Sequence, residues 1–465
     1  MKHLRAILLV PVLFALLAGA ALAKSPSSRA RLDPSFGTRG TIAVGTGAGT
    51  PWAKGIPPVH LAVAPDGKSY LLQESVLIAL DRNGKVDREF GENGGVHVGP
   101  PNGGLLWVSD LAVDPAGRIL VLGAARPISG PDPIAPGNGA GTYGNEWVTQ
   151  AFVARYLPDG SLDPTFGTGG TEITALGVPR PTSAPFGTPT GEYQLPILFP
   201  SFLSVDAQGR PVIGGEYLKA LDGTCWDKRT FVARLTASGD ADPSFGASGY
   251  VAVPGARAIG LTSAPGASWA FLGEAGPGAC GGEDIGSYPS ELSVLTETGA
   301  QSSELDPSRP PLVADGGHAI EAGLAVDSKG RIAYIERPAT ETSPPRVVRL
   351  RADGDLDTSF GQGGAVNLKH FGHRVTAIAV DRLGRVVVGF ASRGFEMTRL
   401  SARGQIERRF GNQGLLQTPV ARVGSVPLQA LVIDPRQRIL VAGAVASAAL
   451  NAHVGVGIAR FLPGN

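Results

Sequence analysis

Three of the seven histidines, His60, His318 and His373, stand shortly before apolar runs of the kind that form short strands, and Asp110 stands before a fourth such run. Imidazoles and a carboxylate at matching places in repeated elements can converge to hold a divalent ion or to act as acid and base. The same side chains taken singly are surface or hydrogen-bonded residues, so both readings stand at this level. His370-Phe371-Gly372-His373 places two imidazoles three residues apart with no carboxylate beside them, and the spacing specifies no metal. Asp114, Asp206, Asp327, Asp381 and Asp434 recur like a ring of carboxylates. Each precedes a turn ending at or near Gly, where an Asp side chain caps the turn amides and Gly takes the positive φ. Asp33, Asp163 and Asp357 read the same way. The Asp159-Gly-Ser-Leu-Asp163 spacing lacks the further acids and distal Glu of a calcium loop. There is no Gly-x-Ser-x-Gly, no phosphate loop and no zincin helix, so the sequence requires no catalysis and specifies no cofactor.

A second set of residues suits recognition better than catalysis. Trp52, Trp107, Tyr143, Trp147, Tyr193, Trp226 and Tyr288 all fall in the long segments between the apolar runs. Loops on a rigid scaffold are where binding residues gather, and aromatics are enriched at binding hot spots. The alternative is that these rings cover strand ends as local packing. Cys225 and Cys280, the two cysteines, lie in corresponding long segments of neighbouring repeats.

The elements that must position these residues follow from the composition and the repeats. With 66 Gly and 38 Pro in 465 residues there is no room for long helices, while 43% hydrophobic residues still supply a sizeable core. Short strands and tight turns remain. A Leu-Asp-x-x-Phe-Gly-x-x-Gly segment recurs with Phe at 36, 90, 166, 245, 360 and 410, and a worn copy, LDPSR at Leu305, fits the one double step. An apolar run followed by Asp-x-x-Gly-Arg also counts to seven, from Leu61 to Leu431, as does a third run typified by FVARY from Phe152. Each repeat therefore holds four short strands, here called a to d in chain order. Four-stranded antiparallel units repeated radially form a β-propeller, so the expected fold is all-β with seven blades.

The part of the chain that carries the repeats opens on an orphan Leu-Asp-x-x-Phe-Gly segment at Leu32 and stops where the next one would begin. Strand Thr41–Val44 is accordingly expected to complete the last blade, residues 428–463, and to close the ring without a free edge. The whole expected domain is 24–465. The best-preserved copy, DGSLDPTFGTGG from Asp159, resembles the delta-60 repeat family of exported bacterial propeller-like proteins. That resemblance implies the architecture; it implies no activity and no catalytic residues.

Lys2, His3 and Arg5 precede an apolar run from Ala6 to Leu22 that ends in Ala21-Leu22-Ala23, which reads as a signal peptide over 1–23 and a secreted or periplasmic location. Nothing after it is long and apolar enough to span a membrane as a helix. A formal charge of +1 gives no net field toward nucleic acid or a membrane surface. The expected product is a monomeric binding or interaction module whose loop-rich end, carrying strand b to c and d to a connections, meets a protein, peptide or glycan. The alternative is a metal-dependent hydrolase or lactonase with its site at the channel mouth.

In an oxidising compartment the cysteine pair is expected to form a disulfide. Closing a loop of about 55 residues contributes roughly 4 kcal/mol by chain entropy. Intact mass of the exported protein, before and after reduction, should reveal a loss of two hydrogens in the unreduced form.

Overall fold

The computed structural model describes residues 30–45, 50–51, 58–100, 104–125, 150–176, 198–220, 226–253, 257–264, 268–274, 289–304, 312–313, 323–336, 344–369, 371, 374–392, 394–418, 428–447 and 452–464. Its strands form seven antiparallel sheets of four principal strands, which in six of them follow chain order from the inside outward. Blade one comprises Val59–Val63, Ser69–Gln73, Val76–Leu80 and Gly95–His97. Blade two comprises Leu105–Val113, Ile119–Ala125, Gln150–Tyr156 and Thr171–Thr174. Blade three comprises Leu198–Val205, Pro211–Ala220, Trp226–Arg234 and Tyr250–Val253. Blades four to seven begin with Arg257–Ala264, Leu324–Val326, Val375–Val380 and Ala430–Ile433. These innermost strands neighbour one another in a closed circle, the seventh lying against the first.

Closure is made by the N-terminal strand. Thr41–Val44 pairs antiparallel with the third strand of blade seven, Ala452–Leu462, from Thr41 opposite Ala459 to Val44 opposite Val456. Arg31–Leu32 continues along the same partner. The chain thus forms a seven-bladed propeller whose last blade is shared between its two ends.

Seven apolar layers, one between each pair of successive blades, hold the ring. The second and third strands of a blade face such a layer on both sides, which is why VLIAL (76–80) and ILVLGAA (119–125) are continuous apolar runs and fully buried.

At the end of the ring where strands a and b turn, the repeated polar residues form one construction. Asp114 Oδ1 accepts the amides of Ala116 and Arg118, and its Oδ2 accepts Arg118 Nε at 2.6 Å. The repeats at Asp206, Asp327, Asp381 and Asp434 are built alike. Near the end of five third strands, at the matching place of the repeat, stands a buried arginine: Arg155, Arg234, Arg349, Arg399 and Arg460. Arg155 Nε donates to Asp163 at 2.8 Å, one terminal nitrogen donates to the carbonyl of Ala237 in the next blade at 2.5 Å, and the guanidinium lies 4.6 Å from the Phe166 ring centre. Arg234, Arg349 and Arg460 repeat this with Asp242 and Phe245, Asp357 and Phe360, and Asp33 and Phe36. In blade six Glu407 replaces the aspartate, and Arg399 reaches the carbonyl of Pro463 in blade seven.

The Phe of each motif is a fully buried plug between blades, as at Phe36, Phe90, Phe166, Phe245 and Phe360. A glycine turn of the next blade makes room for it. At Gly84, with φ of +77°, a Cβ would lie 2.6 Å from the Phe36 ring. Blade four departs from the expected register. Its turn hydrogen bond from the Thr296 amide to the Ala300 carbonyl matches that from Thr236 to Asp240 in blade three. Gln301 therefore opposes Leu295 as Ala241 opposes Leu235. Gln301-Ser302 thus takes the place of Leu-Asp, four residues before LDPSR, and continues, with a shift of register at Ser302, as the outer strand Gln301–Glu304. Without Asp at that place the motif turn is not nucleated, and residues 305–311 lie outside the described ones.

Burial pushes the carboxyls of Asp33, Asp163, Asp242 and Asp357 up. Hydrogen bonds from the Ser or Thr two residues on, and from the guanidinium, outweigh it, holding each below the ordinary Asp value of 3.8. A carboxyl with a lowered folded value contributes stability that is complete above its ordinary value and is lost as pH falls through the folded one. The denaturant midpoint of the parent should therefore drop steeply below about pH 4. At neutral pH Arg155→Met or Asp163→Leu should each cost about 3–5 kcal/mol by leaving a buried charge, and the double variant should recover much of that loss. Denaturant melts of the three variants check the cycle.

Candidate functional site

The innermost strands run from the end bearing the long connections toward the a–b turns. Aligned on the pairing of strands a and b, the residue preceding the Leu or Ile of the motif is His60, Asp110, Phe202, Gly260, Gly323, Ala377 and Ala430 around the ring. Five of these are small or apolar. His60 and Asp110 sit side by side, so the polarity of this level is concentrated at blades one and two.

Asp110 follows a bulge in its strand between Val108 and Asp110, which re-aims the side chain. Its Oδ1 accepts the Leu111 amide and its Oδ2 accepts the Leu203 amide of blade three, each at 2.8 Å. His60 Nδ1 lies 3.4 Å from Oδ1. One carboxylate thus joins the innermost strands of three successive blades. Chemically, a carboxylate held by two amides is a fixed orienter for an imidazole. The other ring nitrogen, His60 Nε2, is buried and has no hydrogen-bond partner among the described residues.

Three residues earlier on the same strand, toward the loop-rich end, Trp107 is 39% exposed. Its indole stacks on Phe199 of blade three with ring centres 6.5 Å apart and planes 16° apart. The hairpin comes close behind it: a Cβ at Gly123 would lie 2.5 Å from the Trp107 carbonyl oxygen, so the second strand needs Gly there. An exposed, rigidly backed indole above a His–Asp pair offers a flat apolar surface with polar groups below.

The structure therefore brings His60 and Asp110 together, whereas His318 and His373 lie outside the described residues. Among the described residues no three of His, Cys, Asp and Glu gather closely enough to hold a metal ion. Trp107, expected in a loop, lies instead within strand Leu105–Val113, because pairing with the second strand continues past the bulge to Leu105 opposite Ala125. Trp226 is corrected likewise: it begins strand Trp226–Arg234 opposite Ala220, the hairpin being prolonged by cross-strand pairing into the expected insertion. Trp52, Tyr143, Trp147, Tyr193, Tyr288, Cys225 and Cys280 lie outside the described residues, as do residues 1–29. No helix among the described residues is long and apolar enough to cross a membrane. Phe199 was not singled out in the sequence, where nothing distinguishes it from the strand residues around it. The fifth tryptophan, Trp269, is fully buried in blade four, edge-on to Phe245 at 5.6 Å.

No curated relative matches the sequence. Among solved structures, Chaetomium thermophilum Raptor is 10% identical with a TM-score of 0.46; the match covers 88% of this chain, which spans only 28% of that one. A Penicillium chrysogenum alpha-L-arabinanase complexed with arabinobiose is 12% identical with a TM-score of 0.43, covering 90% of this chain and 97% of that one. A Xanthomonas campestris gluconolactonase is 12% identical with a TM-score of 0.36, covering 94% and 97%. Likenesses this remote carry neither a site nor an activity. The sequence profile of a family described as "Domain of unknown function (DUF5122) beta-propeller" matches residues 139–166 and 342–360, which span two copies of the Leu-Asp-x-x-Phe motif and supports a propeller repeat of unknown function.

Proposed function

We propose that the chain is an exported propeller that works as a binding or interaction module, with a protein, peptide or glycan engaged at the loop-rich end. The observation that carries this reading is Trp107: a large aromatic held open to solvent, stacked on Phe199, at the end where the long connections emerge. A ring fixed by its neighbour loses little freedom on binding, and such rings dominate binding energies. A second reading, a metal-dependent hydrolase or lactonase at the channel mouth built from His60, Asp110, His318 and His373, draws support from the 3.4 Å approach of His60 to Asp110. The binding reading is favoured because the free nitrogen of His60 is shut off from solvent and Asp110 is already engaged by two backbone amides.

Pull-downs from the native secretome with the parent and with Trp107→Ala distinguish the readings. The binding module predicts a specific partner whose retention falls at least about tenfold with Trp107→Ala, the usual worth of an aromatic hot spot, with the melting temperature unchanged. Stoichiometric divalent metal in the parent that disappears in His60→Ala, with retention untouched by Trp107→Ala, would establish the second reading instead.

A further inference from the structure

The end opposite Trp107 carries a sector of uncompensated positive charge. In blades six and seven Arg39, Arg382, Arg403, Arg408, Arg409 and Arg436 are all exposed. They lie on the a–b turns and strand c to d segments, which emerge together, and the Arg382 amide donates to Gln437 Oε1 at 2.7 Å, joining the turns of the two blades. The acids of these turns are already spent inward. Asp381, Glu407, Asp434 and Asp33 hold Arg385, Arg399, Arg438 and Arg460. None of the six exposed arginines has an ion-pair partner among the described residues. The same end of blades two and three exposes Asp159 and Asp240 and, among the described residues, no exposed Lys or Arg in its turns. The overall charge of +1 therefore averages over a polarised end.

Leu383 lies within this sector at the tip of the blade-six a–b turn and is 66% exposed. Turn geometry does not require an apolar residue there, since the matching positions in other blades hold Asp66, Ala116, Gln208, Lys329 and Arg436. A short-turned end with clustered guanidinium groups around a protruding leucine matches the interfacial region of a bilayer, where phosphate headgroups meet acyl chains. Arg suits phosphate through paired N–H donors, and the leucine gains only if apolar chains lie beyond the charge.

The geometry points to the blade six and seven end as a docking surface for an anionic phospholipid membrane, with the six arginines on headgroup phosphates and Leu383 inserted. The full chain should sediment with vesicles of equal parts phosphatidylglycerol and phosphatidylcholine and remain in solution with phosphatidylcholine alone. Arg408→Glu with Arg409→Glu should lower partitioning by about fivefold for each unit of charge removed. Leu383→Gln should lower it about tenfold, from the lost burial of one side chain. All these positions are exposed, so melting temperatures should match the parent and loss of binding cannot be ascribed to unfolding. Equal binding to neutral vesicles, or none to anionic ones, would overturn the proposal. So would full competition by a soluble polyanion with Leu383→Gln behaving as the parent, which would assign the sector to a soluble acidic partner.

Discussion

An arginine buried between two blades, its Nε on the carboxylate of its own motif turn, one terminal nitrogen on a carbonyl of the following blade and its face over a phenylalanine, is the interaction on which this ring depends. A charge in that place is costly unless every donor is used and a counter-charge is in contact. Here the counter-charge is in contact and Nε and one terminal nitrogen are both engaged, the latter only when successive blades are correctly registered. The apolar layers supply most of the driving force, and that force is non-directional. The guanidinium clamps fix the angle and height at which one blade meets the next. The clamp at Arg460 and Asp33 joins residues from opposite ends of the chain, so the same device that spaces the blades also fastens the ring.

Two blades do without the arginine, and each has a local substitute. In blade one Ala79 stands in its place, Lys68 reaches Asp87 at 2.7 Å, and Tyr70 packs against Phe90 with ring centres 5.7 Å apart. Burial, helped by Asp66 and Asp87 nearby, pushes the Tyr70 hydroxyl up to about 12, so that ring stays neutral in the core. In blade four Val294 replaces the arginine, and Trp269 fills the space beside Phe245 and Arg234 of blade three. This division of labour bears on function. The a–b end carries the network that holds the ring together, whereas among the described residues the opposite end repeats no such network and carries Trp107 and the His60–Asp110 pair.

Much of this was legible in particular residues. Asp114 followed by a turn and Arg118 announces a side-chain cap within five residues, and the structure contains that cap. The orphan motif at Leu32 announces a blade shared between chain ends. The arginines were also in plain view, at one place in FVARY, FVARL, VVRL, MTRL and IARF, but their partners were not, since Arg155 meets a carbonyl 82 residues further on. Trp107 and Trp226 were misplaced into loops because prolonging a hairpin depends on the partner strand as much as on the strand itself. Blade four misled by offering LDPSR, a better motif than the Gln301-Ser302 that occupies the position.

The sequence alone determined the number of blades, the strand order within each and the chemistry of the turns, because all of these are set by contacts within one repeat. Only the tertiary structure decided which residues of different repeats meet. It brought Asp110 to His60 on one side and to the Leu203 amide on the other, backed Trp107 with Phe199, and gathered six arginines into one sector of a nearly neutral chain. The physical reason is that a repeat fixes its own hydrogen bonds through short-range spacing, whereas contacts between blades and the sum of their surface charges exist only once the ring has closed.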